Sequence, residues 1–396
     1  MADEHGLTVL LLAPASSLHT RRWAAALAGA GHRVVVASWH SGPQPPAGEL
    51  RVAPASRAGP ALRWPLAVAW LCRLIRDVRP DVIHVHSLGV HGLLALALPA
   101  GPARVVTPWG SELRAARRSA ARAAVIRLAV RRADMVLPTS AEVATEMMSR
   151  YAVPAARTRV LSWGVADELI SLQPSVDPDA IRSAFGVPPG ATVVISVRST
   201  SAIYRIHEVV SAFARAAAAG HDLFLVVLGG HLPTSPAARR AREGYLGSVR
   251  AAAEAVADRI LIIDRTLSQQ RVFELMCAAD VAVSIPAADQ RSSSVLEAAL
   301  AGCRLLLSDI APYREMVRDG LAADLLTEPV SRSLAEALRH VRPDRTRLLA
   351  NQEFIRAHER GADKVATLEQ TYRELRVCPG RPGVRRAAVS RGSRGS

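Results

Sequence analysis

A series of short runs in this chain is predominantly apolar without strict polar alternation, and most are followed by a segment of helical periodicity. Leu7 to Ala13, Arg33 to Ser38, Val82 to His86, Arg104 to Thr107 and Ala133 to Thr139 form one set. Val193 to Val197, Leu223 to Leu228, Arg259 to Ile263 and Val281 to Pro286 form another. A strand with one wet face alternates apolar and polar residues; a continuous run belongs to a parallel sheet covered on both faces. The expected fold class is therefore α/β with parallel sheets. The alternation stops at Ser171 to Pro178, a stretch with two prolines and no periodicity, and then restarts. With 396 residues, a single core is too small, and two domains are expected.

Charge narrows the function classes. The net charge is +15, but twelve of those charges lie in two acid-free segments, Leu113 to Ala133 and Val377 to Ser396. The rest is nearly balanced and carries no aromatic-interleaved basic motif, which argues against a nucleic-acid-binding body. Arginines 114, 117, 118, 122, 127, 131 and 132 surround a narrow apolar stripe of Ala116, Ala123, Ile126 and Val130. Such a helix is either a solvated face or a surface for anionic lipid or a polyanionic acceptor. The cysteines at 72, 277, 303 and 378 have no metal or redox spacing, as in a reducing compartment. An acidic N-terminus and broken apolar runs predict a cytoplasmic protein, at most peripheral to the inner face of a membrane.

Ala279 to Gly302 carries the clearest chemistry. An apolar run ends at Pro286, a polar turn holds Asp289, and a helix opens near Ser294. Free N–H groups and the dipole at a helix start bind anions. Ser292, Ser293, Ser294 and the backbone at Val295 suit a phosphate cradle, and Glu297 behind them suits sugar hydroxyls. The alternative is an ordinary βα turn with a surface glutamate.

The same stretch resembles the E-x7-E region of family 4 retaining glycosyltransferases of the GT-B fold. Asp289 takes the first acidic position and Glu297 the second, followed by the family's cadence through Ser308, Asp309 and Glu315. His19, Arg22, Trp23, Gly31 and His32 resemble the family's opening, with Ala15, Ser16 and Ser17 where glycines are common. Pro108 to Glu112 is similar to its T-x-H-G-S-D stretch, with Trp109 in place of the histidine and Glu112 in place of the aspartate. Trp109 is either a platform for a sugar ring or a packed core residue. His84 and His86 lie on one side of a strand, and with no third ligand nearby no metal is expected. His86 falls near the strand's carboxyl end, where open sheets place ligands.

The resemblance covers about Leu7 to Arg376 and implies two facing Rossmann-like domains. The expected boundaries are 1–170 for the acceptor domain, 171–358 for the donor domain, 359–376 for a crossover helix and 377–396 for a disordered basic tail. It implies a retaining transfer from a nucleoside-diphosphate sugar, without metal or other cofactor. Arg198 and Arg205 would clamp the diphosphate, Arg205 replacing a lysine this chain lacks; a surface role for Arg205 is the alternative. Asp289 would orient the transferred sugar. Gly229 and Gly230 would let backbone approach the donor, with Asp264 and Arg265 near the base. Ser16, His19, His86, Trp109 and Glu112 would line the acceptor side. A small-molecule or lipid-linked acceptor and peripheral contact through Arg114 to Arg132 are the expected partners. A nucleotide-sugar epimerase and a non-catalytic nucleotide-binding scaffold are the rival functions.

Overall fold

The computed structural model describes residues 6–54, 59–230, 236–342 and 344–377. Every strand pairs in parallel, in two six-stranded sheets. The first holds β1 (Thr8–Leu12), β2 (Arg33–Ser38), β3 (Glu49–Val52), β4 (Val82–His86), β5 (Ala103–Thr107) and β6 (Met135–Val136). The second holds β7 (Thr192–Ser196), β8 (Leu223–Leu228), β9 (Ile260–Ile263), β10 (Val281–Ser284), β11 (Arg304–Ser308) and β12 (Asp324–Leu326). Spatial order is β3-β2-β1-β4-β5-β6 in one and β12-β11-β10-β7-β8-β9 in the other. Each therefore reverses direction once, between β1 and β4 and between β7 and β10. Those switch points leave a crevice at the carboxyl ends of the strands, where such sheets bind ligands.

Helices cover both faces, as the apolar runs require. In the first half they are α1 (Leu18–Gly29), α2 (Pro60–Val78), α3 (Val90–Ala95), α4 (Ser111–Arg117), α5 (Ala120–Arg131) and α6 (Ala141–Tyr151). In the second they are α7 (Asp167–Leu172), α8 (Pro178–Ala184), α9 (Ile206–Ala218), α10 (Pro236–Ala253), α11 (Gln269–Cys277), α12 (Ser293–Ala301), α13 (Ala311–Arg318), α14 (Val330–Arg339), α15 (Arg345–His358) and α16 (Gly361–Val377). In α1, Thr20, Trp23, Ala24 and Leu27 are buried, the i, i+3, i+4, i+7 spacing that fixes one face on the sheet. The last helix crosses back. Val365, Leu368 and Tyr372 of α16 pack with Leu7, Val9 and Trp23 of the first half, whereas Phe354 and Ile355 of α15 stay with the second core.

The two crossings of the chain run side by side. Val165 N–H donates to the Glu359 carbonyl and Gly361 N–H to that of Val165, both at 2.7 Å. A side chain at Gly164 (φ +66°) would press on the Glu359 carbonyl, so glycine is required there. Buried Arg291 ties this crossing to the second domain through Glu359 (2.7 Å) and Asp319 (2.5 Å).

Local expectations fail in four places. The arginine-rich stretch is two helices rather than one; Ser119 breaks it and caps α5 by accepting from Arg122 N–H. Arg159 to Leu161, whose sequence reads as a further short strand, forms none; Arg159 and Leu161 donate to Val136 and Pro138 carbonyls without a ladder. Ser171 to Pro178 is largely helical rather than an extended linker. Its prolines stand at helix starts, where the missing N–H costs nothing, and Asp177 caps α8 through the Asp179 and Ala180 N–H groups. The edge strand β3 is the fourth: four residues, two of them charged, with no buried face. The expected tail lies outside the described residues apart from Val377.

Candidate active site

Arg198 follows β7 and Asp289 follows β10, so the switch point of the second sheet brings them together. The Arg198 guanidinium donates to Ser292 Oγ at 2.5 Å and to Asp289 Oδ1 at 3.2 Å. The Tyr204 ring lies 4.3 Å from the guanidinium carbon. Asp289 Oδ2 accepts from the Tyr313 hydroxyl at 2.7 Å, which also meets Ser284 Oγ at 2.8 Å. Burial opposes the Arg198 charge, but Asp289, Tyr313 and Tyr204 outweigh it and raise its pKa. Arg198 Nε has no hydrogen-bond partner, so the cation keeps a donor in reserve.

Ser292 is the residue before α12 and leaves the helix start uncapped by its side chain. Val295 N–H is already used, donating to the Ser292 carbonyl at 3.2 Å. The cradle expected over Ser292 to Val295 therefore narrows to the N–H groups of Ser293 and Ser294, both half-buried. Glu297 is buried at 7% exposure and accepts from Gln269 Nε2 at 2.7 Å. Burial raises its pKa, against the pull of Arg22 and then Gln269.

Four of the residues expected on the donor side are engaged by the fold itself. Arg205 pairs with Glu328 (2.7 Å) and Glu208 (3.7 Å), and its backbone is left-handed (φ +52°) where it opens α9. The cation beside Arg198 is thus absent from the network; the aromatic Tyr204 is there instead. Asp264 is held by Arg242 (2.6 Å) and Arg250 (3.1 Å), and Arg265 is exposed next to it. At Gly229 a Cβ would lie 2.7 Å from the Ile263 carbonyl, and at Gly230 (φ +74°) 2.3 Å from Ser199 Cβ. These glycines let the chain approach itself.

On the first domain, Ser16 is exposed and His19 stacks on Trp163 with centroids 4.6 Å apart. Trp163 also touches Trp23 (4.6 Å), His86 (5.7 Å) and Trp109 (5.9 Å). Neither Trp23 nor Trp163 was expected in the site, because they lie far apart in the chain and only the fold brings them together. His86 is fully buried, and burial, then His91 and His19, push it down to about 3. Its Nδ1 and the Nε1 atoms of Trp23 and Trp109 are buried without hydrogen-bond partners. Buried polar atoms left bare are costly, and these three sit on rings packed together, the His86 centroid lying 5.5 Å from Trp23 and 6.2 Å from Trp109. Glu112 is a correction. At 8% exposure it accepts from Leu88 N–H (3.0 Å) and Trp109 N–H (2.7 Å), fastening two loops together instead of facing an acceptor.

The halves meet directly. Arg22 of α1 lies 3.6 Å from Glu297, and Glu315 accepts from Ala141 N–H at 2.9 Å. Thr139 Oγ1 donates to Gln290 Oε1. Beside Asp289 a cavity of about 260 Å³ opens between the domains, lined by Gly110, Arg114, Glu142, Asp289 and Pro312 among others. Among the described residues no cluster of three His, Cys, Asp or Glu side chains could hold a metal ion.

Residues 16–169 match the sequence profile of Glycosyltransferase Family 4. No curated protein matches the chain in sequence. Among solved structures, sucrose-phosphate synthase from Thermosynechococcus elongatus is similar at TM-score 0.76 and 18% identity, over 93% of this chain and 99% of that one. Anabaena HepE in complex with UDP-glucose gives 0.75 and 17%, over 93% and 100%. A UDP-forming trehalose-phosphate synthase from Burkholderia xenovorans gives 0.71 and 14%, over 93% and 99%. At these identities the structures speak for the fold: two parallel sheets facing across a cleft. The profile match thus places residues 16–169 with Glycosyltransferase Family 4, and the architecture of the whole chain is the GT-B fold.

Proposed function

We propose that the chain transfers a sugar, with retention of configuration, from a nucleoside-diphosphate sugar to an acceptor held by the first domain. The observation that carries this is the cluster of Arg198, Asp289 and Ser292 at the start of α12, with Glu297 one turn further on. Arg198 and the Ser293 and Ser294 N–H groups neutralise the diphosphate as its bond to the anomeric carbon breaks. Those charges are fixed in place by Tyr313 and Tyr204, so little reorganisation is needed during the step. No metal enters this account. Glu297 binds the ribose hydroxyls, and Asp289 orients the sugar from the same side as Arg198. The acceptor oxygen attacks the face the diphosphate leaves, and its proton passes to a departing phosphate oxygen. HepE binds UDP-glucose, which supports a nucleotide sugar as donor here.

A lipid-linked acceptor fits the outer surface of the first domain. No helix among the described residues is long and apolar enough to cross a membrane. Yet Leu62 (62%), Trp64 (36%) and Leu66 (45%) of α2 are exposed, as is Leu128 of α5 among its arginines. Exposed apolar side chains on α2 and among the arginines of α5 suit contact with an anionic bilayer on its cytoplasmic side.

One experiment tests both readings: nucleotide sugars are supplied with and without vesicles containing a quarter anionic lipid. Nucleoside diphosphate should be released with the product keeping the donor's anomeric configuration, and the protein should sediment with anionic but not zwitterionic vesicles. Inverted product would overturn retention. Isomerised donor would indicate an epimerase, and no turnover a binding scaffold. Protein that stays in the supernatant with anionic vesicles would remove the membrane contact.

A further inference from the structure

Arg22 is the one charged group recorded against Glu297, and it comes from the other domain. It sits one residue before Trp23, which is 3% exposed and packed against Trp163 at 4.6 Å. With Trp23 locked in the core, α1 cannot turn, and the Arg22 side chain is fixed toward the cleft. Its own side chain is only 16% exposed, and Nη1 stops 3.6 Å from Glu297 Oε1. That nitrogen is buried and has no hydrogen-bond partner. Glu297 Oε1 takes its single short hydrogen bond from neutral Gln269 of α11. A buried carboxylate whose only hydrogen bond is neutral tends to take up a proton. As a protonated acid it could accept from fewer donors and would lose the paired hold on two adjacent hydroxyls.

We propose that Arg22 is a positioning residue of the donor site, reaching across the cleft to keep Glu297 an open carboxylate for the ribose diol. The donor site is then complete only with the two domains closed. The second domain supplies the cradle and the first supplies the charge that readies its carboxylate. The inference rests on the reading of Glu297 as the ribose ligand.

The direction of the pH effect follows. Burial raises the Glu297 pKa and Arg22 opposes it. Removing Arg22 raises it further, and the form that binds ribose is lost as pH falls through that higher value. The groups facing Glu297 are Arg22 from α1 and the uncharged Gln269 from α11, so no other recorded charge offsets the change.

The test is calorimetric titration of the wild type, Arg22→Met and Arg22→Lys with UDP, GDP, ADP, CDP and TDP from pH 6 to 8.5. For the nucleotide that the wild type binds, Arg22→Met should bind at least ~10-fold more weakly at pH 7, a change of about 1.4 kcal/mol. Its affinity should climb with pH across a range where the wild type is level, while Arg22→Lys regains most of the loss. Equal affinity in Arg22→Met, or a loss of the same size at every pH, overturns the assignment while leaving the donor site standing. A wild type that binds none of the five overturns the donor reading as well.

Discussion

Replacing Arg198 with alanine should lower kcat/KM for donor turnover by about 10²- to 10³-fold, the range seen when one donor to a developing anion is removed. The magnitude follows from how little else can take its place. Arg205 is engaged by Glu328 and Glu208, and Val295 N–H is engaged by its own helix. Only the Ser293 and Ser294 N–H groups remain for the diphosphate. The same substitution strips Asp289 of its counter-charge in a pocket where both side chains are 12% exposed. Breaking such a buried pair costs about 3–5 kcal/mol. Activity loss could then be confused with unfolding, and a second change separates them. Adding Asp289→Asn to Arg198→Ala removes the orphaned charge and should restore most of the melting temperature while turnover stays low. Recovery of turnover along with stability would show that Arg198 only props up the loop.

Acid should unfold the first domain unusually early. His84, His86 and His91 are all buried, and in each burial is the main force holding the ring neutral. His86 is pushed down to about 3 and His91 to about 4, with His84 also well below the usual range. In the unfolded chain they titrate near the ordinary histidine value of about 6.5. Between those values the unfolded chain binds more protons, so stability is intact above about pH 6.5 and falls as pH drops. At pH 5 His86 and His91 each cost about 2 kcal/mol, and His84 acts in the same direction. Glu297 and Glu142, held up by burial, work weakly the other way. Melting curves from pH 7.5 to 5 should show a steep fall, shallower in His91→Gln. A melting temperature level down to pH 5 would mean that these rings are protonated in the fold.

Much of this architecture is written locally. The continuous runs at Leu7–Ala13 and Val193–Val197 read as buried parallel strands because helices must cover both of their faces, and they do. The Arg198, Asp289 and Ser292 cluster was legible because Asp289 and Ser292 share one short loop and β7 and β10 end side by side. What was illegible depends on distant partners. Glu112 looked like a ligand residue, and nothing near it in sequence shows that Leu88 N–H would occupy it. Arg205 looked like a clamp until the fold brought Glu328 to it. Arg22 and Glu297 are far apart in the chain, and only the closed cleft makes them neighbours. β3 escaped because an edge strand with charged residues carries no apolar run to see.

The central claim is that the second domain binds a nucleoside diphosphate through Arg198 and Glu297. The most direct measurement is the melting temperature of the wild type, Arg198→Ala and Glu297→Ala against UDP, GDP, ADP, CDP and TDP. At a hundredfold excess over Kd, a ligand that binds only the folded state adds about 2.7 kcal/mol, enough for a shift of a few degrees. The account predicts such a shift with one base in the wild type and its loss in both variants. A wild type that none of the five stabilises, or variants that shift as far as the wild type, would contradict it.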